Sequence, residues 1–212
     1  MSESDRIGRL IAGVRQYPAT VGVIVVLLVV YALQLLSAAR SPVESHVPGT
    51  GTLSPPVAKL LAPWLHDDLR HLFGNMVRLG VPAILIEREK GGWRLLGFIF
   101  VSGYVPLWIT SHVVYGGKYA NGISGAAYAA LSFGFGMVLL NLRSGGFDDS
   151  DAIACLQIFT LVCVLYPLLS FLYVLGVFAD PNHVAVEAHA IAVVLGIARF
   201  CIELRRGVLQ PR

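Results

Sequence analysis

The 212-residue chain is 56% hydrophobic and 14% charged, against roughly 45–50% and about 25% in soluble proteins. A soluble fold of this length cannot bury that much apolar surface and still cover itself with polar groups, and a chain this poor in charge is not disordered. A net charge of +3 is too small and too dispersed for a nucleic-acid-binding face, so the composition reads as an integral membrane protein.

A helix crossing the hydrocarbon core needs about 20 mostly apolar residues. The first such segment spans 18–36, with Gln34 its one strongly polar side chain. Arg6, Arg9 and Arg15 precede it, and Ser37-Ala38-Ala39 resembles a cleavage site. Its apolar run of 19 residues nevertheless exceeds the roughly 7–15 of a signal peptide, which favours a retained span. The stretch 38–68 carries prolines and glycines, and its patch Val57 to Leu65 is suited to the membrane interface. The second segment, 69–86, is weak because it holds Arg70, His71, Asn75 and Arg78. The third, 93–114, contains Pro106; the fourth is 124–142. The fifth, 152–178, is long, carries Pro167 and has Ser150 as a candidate N-cap. The sixth is 184–204. None alternates with period two, which argues against a β-barrel. The expectation is one all-α membrane domain over 1–212, a bundle of six transmembrane helices. Cys155, Cys163 and Cys201 lie in apolar stretches and form neither a metal-ligand spacing nor a disulfide set.

Lysine and arginine positions set the orientation. With the N-terminus cytoplasmic, the inner side holds positions 6, 9, 15, 88, 90, 94, 143, 205, 206 and 212, which is ten. The outer side then holds 40, 59, 70 and 118, which is four. That excess predicts a multi-pass protein of the cell membrane with both termini in the cytoplasm.

Ionisable and polar groups inside a membrane are expensive and mark function by default. They gather on three segments: His71 and Asn75, four apart on one helix face; Ser124, inside Gly122-Ile123-Ser124-Gly125; and Glu187 with His189. At 1.5 Å per residue, Asn75 lies about 18 Å above Glu87, His189 about 24 Å above Arg205 and Ser124 about 28 Å above Arg143. In a core about 30 Å thick, all three fall in the outer half. A serine, a histidine and an asparagine in one outward-open polar cavity suffice for acyl transfer. His189 would take the Ser124 proton, Asn75 would donate to the oxyanion, and the helix start at Ser124 favours an anion. Gly122 and Gly125 allow close backbone approach. Each feature also has a bland reading as small-residue packing or interhelical hydrogen bonding; it is the shared depth that favours hydrolysis.

These residues resemble the rhomboid intramembrane serine proteases over roughly Trp64 to Arg199. His66-x4-His71-Leu72-x2-Asn75-Met76 resembles the second-helix signature, followed by Glu87 and Gly91 as in the family's Glu-x3-Gly. Gly122-x-Ser124-Gly125-x2-Tyr128-Ala129 resembles the nucleophile motif, and Ala188-His189-x6-Gly196 resembles the sixth-helix motif. The resemblance implies Ser124 as nucleophile and His189 as base, without a third acid. It implies an oxyanion hole from Asn75, His71 and the Ser124 amide, and Tyr128 packed on His189. Gly196 would let the sixth helix press on the fourth. Glu87 would bind the turn between the second and third helices, and His66 would be structural. No cofactor and no metal are implied. The substrates would be transmembrane proteins cut in or near a membrane helix.

The sequence departs from the pattern in places. Ala192 stands where the first glycine of the sixth-helix motif is expected, Gly74 and Arg78 occupy a stretch that is bulky and apolar in the family, and the first outer loop lacks the family's Trp-Arg pair. Two rivals differ in class. One is an inactive rhomboid-like factor that binds or escorts membrane proteins, though such relatives usually lack the serine or the histidine. The other is a small channel or transporter, which would need a polar path through the inner half of the fourth and sixth segments. A metalloprotease lacks its His-Glu-x-x-His.

Overall fold

A computed structural model describes residues 15–40, 55–114, 121–144, 151–164 and 186–209. The described residues are helical and contain no strand. The longer helices are α1 (Pro18–Arg40), α2 (Leu69–Lys90), α3 (Gly92–Ile109), α4 (Ser124–Ser144), α5 (Asp151–Cys163) and α6 (Val186–Arg205). They follow the six expected segments in order. The segment 38–68, for which no span was expected, supplies a short helix, Pro55–Leu61, and a 3-10 turn, Ala62–Trp64. The remainder of the fifth segment, with Pro167, and the cap position Ser150 lie outside the described residues.

Among the described residues, three helices are long and apolar enough to cross a membrane: Pro18–Ser37, Gly92–Val113 and Ser124–Ser144. Helix α2 falls short because arginines and polar groups interrupt it, and α6 carries Glu187, Arg199, Glu203 and Arg205.

Helix α4 is the hub. Its run Ser124 to Gly134 is buried throughout, and α2, α3, α5 and α6 all pack on it, α6 most extensively. Small residues make this possible. With lipid tails as solvent there is no hydrophobic drive between helices, so close van der Waals packing holds them together. A Cβ on Gly134 would sit 3.2 Å from Pro82 Cβ of α2 and 3.3 Å from Thr160 Cγ2 of α5. A Cβ on Gly136 would meet the Phe200 ring at 2.7 Å. A Cβ on Gly196 would run into the Ala129 carbonyl oxygen, which places α6 directly against the α4 backbone. Ala192, one turn earlier, is 0% exposed; its methyl group is accommodated where the family motif has glycine.

Pro106 lies inside α3 and lacks the N–H that would bond the carbonyl of Ser102. Gly125 fills the gap: a Cβ there would lie 2.8 Å from Ser102 O, so only a glycine brings the first turn of α4 against that freed carbonyl. Four residues past the proline the helix widens into a π turn, Thr110–Val114.

Helix α1 joins the bundle through a stripe of Thr20, Val23, Leu27 and Gln34. Two of these four are polar, and each has a defined partner. Thr20 meets Glu87. The resemblance implies that Glu87 binds the turn after its own helix; its backbone carbonyl accepts Gly91 N–H there at 2.8 Å. Its carboxylate instead accepts Ala19 N–H at 2.9 Å, Thr20 N–H at 2.8 Å and the Thr20 hydroxyl at 2.7 Å. It therefore caps the first turn of α1, where free N–H groups and the positive dipole end favour an anion.

Candidate active site

Ser124 opens α4 just after Gly122, whose φ of +102 is a conformation that residues with a Cβ rarely adopt. The Gly122 N–H donates to Ala62 O at 2.9 Å, fastening this turn to the 3-10 segment. A Cβ on Gly122 would stand 3.0 Å from His71 Nε2 and 3.3 Å from Asn75 Nδ2. Two side-chain nitrogens of α2 thus converge on one point, two residues before Ser124.

His189 lies in the first turn of α6. Its Nε2 is 2.9 Å from Ser124 Oγ. The ring stacks on Tyr128 with centroids 4.1 Å apart and planes 8° from parallel. Tyr128 is one turn along α4 from Ser124, so the same helix supplies the hydroxyl and the platform that orients the imidazole. Ser124 is buried and His189 half-buried, which leaves the imidazole partly accessible while the hydroxyl is shielded.

The start of α2 is set locally. Asp68 is its N-cap, accepting His71 N–H at 2.7 Å, as cap carboxylates do. His71 Nδ1 is also 3.8 Å from Asp67 Oδ2, and its ring meets His66 edge-on at 5.1 Å.

Asn75 is wholly buried and held by His66. His66 Nδ1 is 3.2 Å from Trp64 O, and His66 Nε2 is 3.1 Å from Asn75 Nδ2. A carbonyl oxygen only accepts, so Nδ1 carries the proton and Nε2 accepts from the asparagine amide. That fixes the orientation of the Asn75 amide and leaves its second N–H free to point at the Gly122 gap. Burial, followed by the charge of His71, pushes the His66 pKa down to about 4, so the ring stays neutral and keeps this tautomer. Asn75 Oδ1 has no hydrogen-bond partner among the described residues.

His66 is held in turn by Gln34 of α1. Gln34 Oε1 accepts His66 N–H at 3.1 Å, and Gln34 Nε2 donates to His66 O at 3.3 Å. Trp64 Nε1–H donates to the Tyr104 hydroxyl at 3.0 Å, and that hydroxyl donates to Leu60 O at 2.7 Å. The segment before α2 is thereby anchored to α1 and α3.

A family model for the rhomboid domain matches residues 57–206, well over half of the chain. The chain belongs to the rhomboid family. Comparison with curated proteins gives no significant match. A rhomboid domain together with three membrane-capable helices makes this a membrane protein. Helix α1 and its Gln34 precede the matched region.

The structure brings Ser124, His189, Tyr128, Asn75, His71, Gly122 and Gly125 to one end of the bundle, with Gly196 on the α4–α6 seam and Glu87 at the opposite end of α2. Gly74 and Arg78, the two unusual residues of α2, form a matched pair. A Cβ on Gly74 would lie 3.0 Å from Arg78 Nη2, so the missing side chain makes room for the guanidinium to fold back one turn along the helix. Sequence reasoning missed the Gln34 clamp and the Asp68 cap. The cap was readable as an Asp directly before the helix; the clamp left only a lone glutamine in an apolar span. No group of three or more His, Cys, Asp or Glu side chains suited to a metal converges among the described residues.

Proposed function

We propose that this rhomboid is an intramembrane serine endopeptidase that hydrolyses peptide bonds in or near the transmembrane helices of other membrane proteins. The 2.9 Å approach of His189 Nε2 to Ser124 Oγ, on an imidazole stacked on Tyr128, carries this reading. In the reaction His189 Nε2 takes the hydroxyl proton as Ser124 Oγ bonds to the substrate carbonyl carbon. The oxyanion is held by Asn75, His71 and the Ser124 amide. Collapse breaks the C–N bond, and His189 returns the proton to the leaving amine. Water then attacks the acyl-enzyme by the same route in reverse, with His189 as base, and releases the acid and Ser124.

Helices α1 to α6 are the six spans in this reading, and both termini face the cytoplasm. The charge count of the loops supports that orientation. The Ser124 end then opens on the outer half of the bilayer, where water reaches the acyl-enzyme, and a substrate helix is cut nearer its outer end.

The experiment incubates the purified full-length chain with a helical membrane substrate and, separately, with a fluorophosphonate probe. Wild type cleaves and is labelled. Ser124→Ala loses both activities while purifying normally, and His189→Ala loses labelling. Cleavage undiminished in Ser124→Ala would refute the assignment. Absence of both activities in the wild type would leave the family's non-proteolytic role, binding or escort of membrane proteins, as the better reading.

A further inference from the structure

The end of the bundle away from Ser124 holds a second constructed site. Glu203, in the last turn of α6, is nearly buried and is paired twice. Lys90 Nζ from the end of α2 is 3.1 Å from its Oε2, and Arg199, one turn back, meets its Oε1. Lys90 also donates to Val208 O at 3.1 Å. The chain reverses at Gly207, with φ +66, and Val208 N–H returns to Glu203 O at 3.0 Å. These bonds fix the segment after α6 against the end of α2.

A recess of about 410 Å³ opens on this floor, lined by Arg94 of α3 and by Arg199, Ile202, Glu203, Arg206 and Val208. In its lining Arg94, Arg199 and Arg206 bring three positive charges to Glu203's single negative one, a balance of 3 − 1 = +2, and Lys90 pairs with Glu203 besides. Lys90 and Arg199 already neutralise Glu203. Among the described residues, Arg94 and Arg206 have no carboxylate within ion-pair distance. Two guanidiniums facing one recess without a counter-ion repel each other and call for an anion. The planar fork of arginine matches phosphate oxygens two at a time.

The surroundings of the recess specify an amphiphile. Ile202 and Val208 in its wall are 47% and 46% exposed, and Trp93 beside Arg94 is 88% exposed. Apolar side chains of this kind at the end of membrane helices belong at the boundary of lipid tails and headgroups, where tryptophan is enriched. We propose that this recess binds the phosphate headgroup of an anionic membrane lipid. Arg94 and Arg206 hold the phosphate, and the acyl chains lie along Ile202, Val208 and Trp93. Basic recesses between helix ends at the membrane surface suit such headgroups. The lipid would bridge the first turn of α3 to the end of α6 and so stabilise the bundle. None of this depends on the Ser124 chemistry.

The test uses the full-length protein in an uncharged maltoside detergent, with thermal unfolding and native mass spectrometry as readouts. Phosphatidylglycerol should form retained adducts and raise the unfolding midpoint; phosphatidylcholine should do neither. The double variant Arg94→Gln, Arg206→Gln should have a midpoint without lipid no lower than the wild type's, since the mutual repulsion is gone, and should lose most of the phosphatidylglycerol shift. Both arginines are exposed, so the variant is not expected to disturb folding. An equal shift from phosphatidylcholine, or an undiminished phosphatidylglycerol shift in the double variant, would overturn the proposal. An equal shift from inorganic phosphate alone would assign the recess to a soluble phosphate and overturn the lipid reading.

Discussion

Helices α1 and α4 both qualify as membrane spans, yet they solve opposite problems. The α1 window has a mean hydropathy of 2.6 and is only 28% buried; the α4 window has 1.5 and is 67% buried. In water the more apolar helix would be the inner one. In lipid the order reverses. Val25, Val26, Leu28, Val29 and Leu33 of α1 are exposed, because large aliphatic side chains are soluble in acyl chains. The first half of helix α4 is rich in glycine, alanine and serine, since close backbone approach is what holds helices together there. The small residues also admit polar chemistry. Ser124 begins a helix whose neighbours can come close enough to place His189, Asn75 and His71 around it. Helix α1 contributes to that site as well, but through a polar exception: Gln34 grips the His66 backbone, while at the far end Thr20 grips Glu87.

At the α4 end, Asn75→Ala should lower the rate of substrate cleavage by about 10²–10³, the usual loss for one oxyanion donor. Substrate binding should change little, so single-turnover kinetics in detergent would separate the two. An unchanged rate would make Asn75 a packing residue.

On the α4–α6 seam, Gly196→Ala should destabilise the protein by about 1–3 kcal/mol, the range for overpacking a tight contact. The new methyl group has only the Ala129 carbonyl and Ser132 to occupy. Unfolding in detergent should show a lowered midpoint, and fluorophosphonate labelling of Ser124 should slow as His189 is displaced. A midpoint equal to wild type would mean that the seam is looser than the packing of α6 on α4 indicates.

Stability should also depend on pH through His66. His66 has an ordinary value near 6.5 when unfolded and about 4 when folded. Above pH 6.5 both forms are neutral and the His66 contribution is fully present. As pH falls from 6.5 towards 4, the unfolded chain takes up a proton first, so stability declines across that window and levels off below it. The unfolding midpoint of wild type should fall over this interval relative to His66→Gln. Parallel curves for the two proteins would show that His66 titrates normally in the fold.

The smallest effect is expected on the lipid face of α1. Leu33→Ala removes a side chain that is 59% exposed and should shift stability by no more than about 0.5 kcal/mol. A large loss would mean that this face is covered by another helix or a second protein, and the contrast between α1 and α4 would need revision.

The starts of α1, α2 and α4 coincide with the expected segment boundaries, and those of α3, α5 and α6 lie within two residues. Helical periodicity, apolar length and local start signals such as Asp68 are written into neighbouring residues. The candidate site was legible in outline for a related reason. A serine among glycines and a histidine in an apolar span are costly in lipid, so their presence alone marks them. Their shared depth follows from helix rise and needs no packing information.

The sequence by itself determined a membrane protein, its helical segments, the family, and Ser124, His189, Asn75 and His71 as the residues to watch. Only the tertiary structure decided what positions them. The amide of Asn75 is oriented by His66, and His66 is held by Gln34 from a helix that precedes the matched family region. The Glu87 carboxylate caps α1 while its carbonyl closes its own turn, Gly74 exists to seat Arg78, and Gly125 meets a carbonyl freed by Pro106. Each of these is a contact between residues far apart in the chain or between unlike side chains. Hydropathy and spacing register the period of a single helix; the geometry between helices is set by which backbones approach closely enough to share a hydrogen bond.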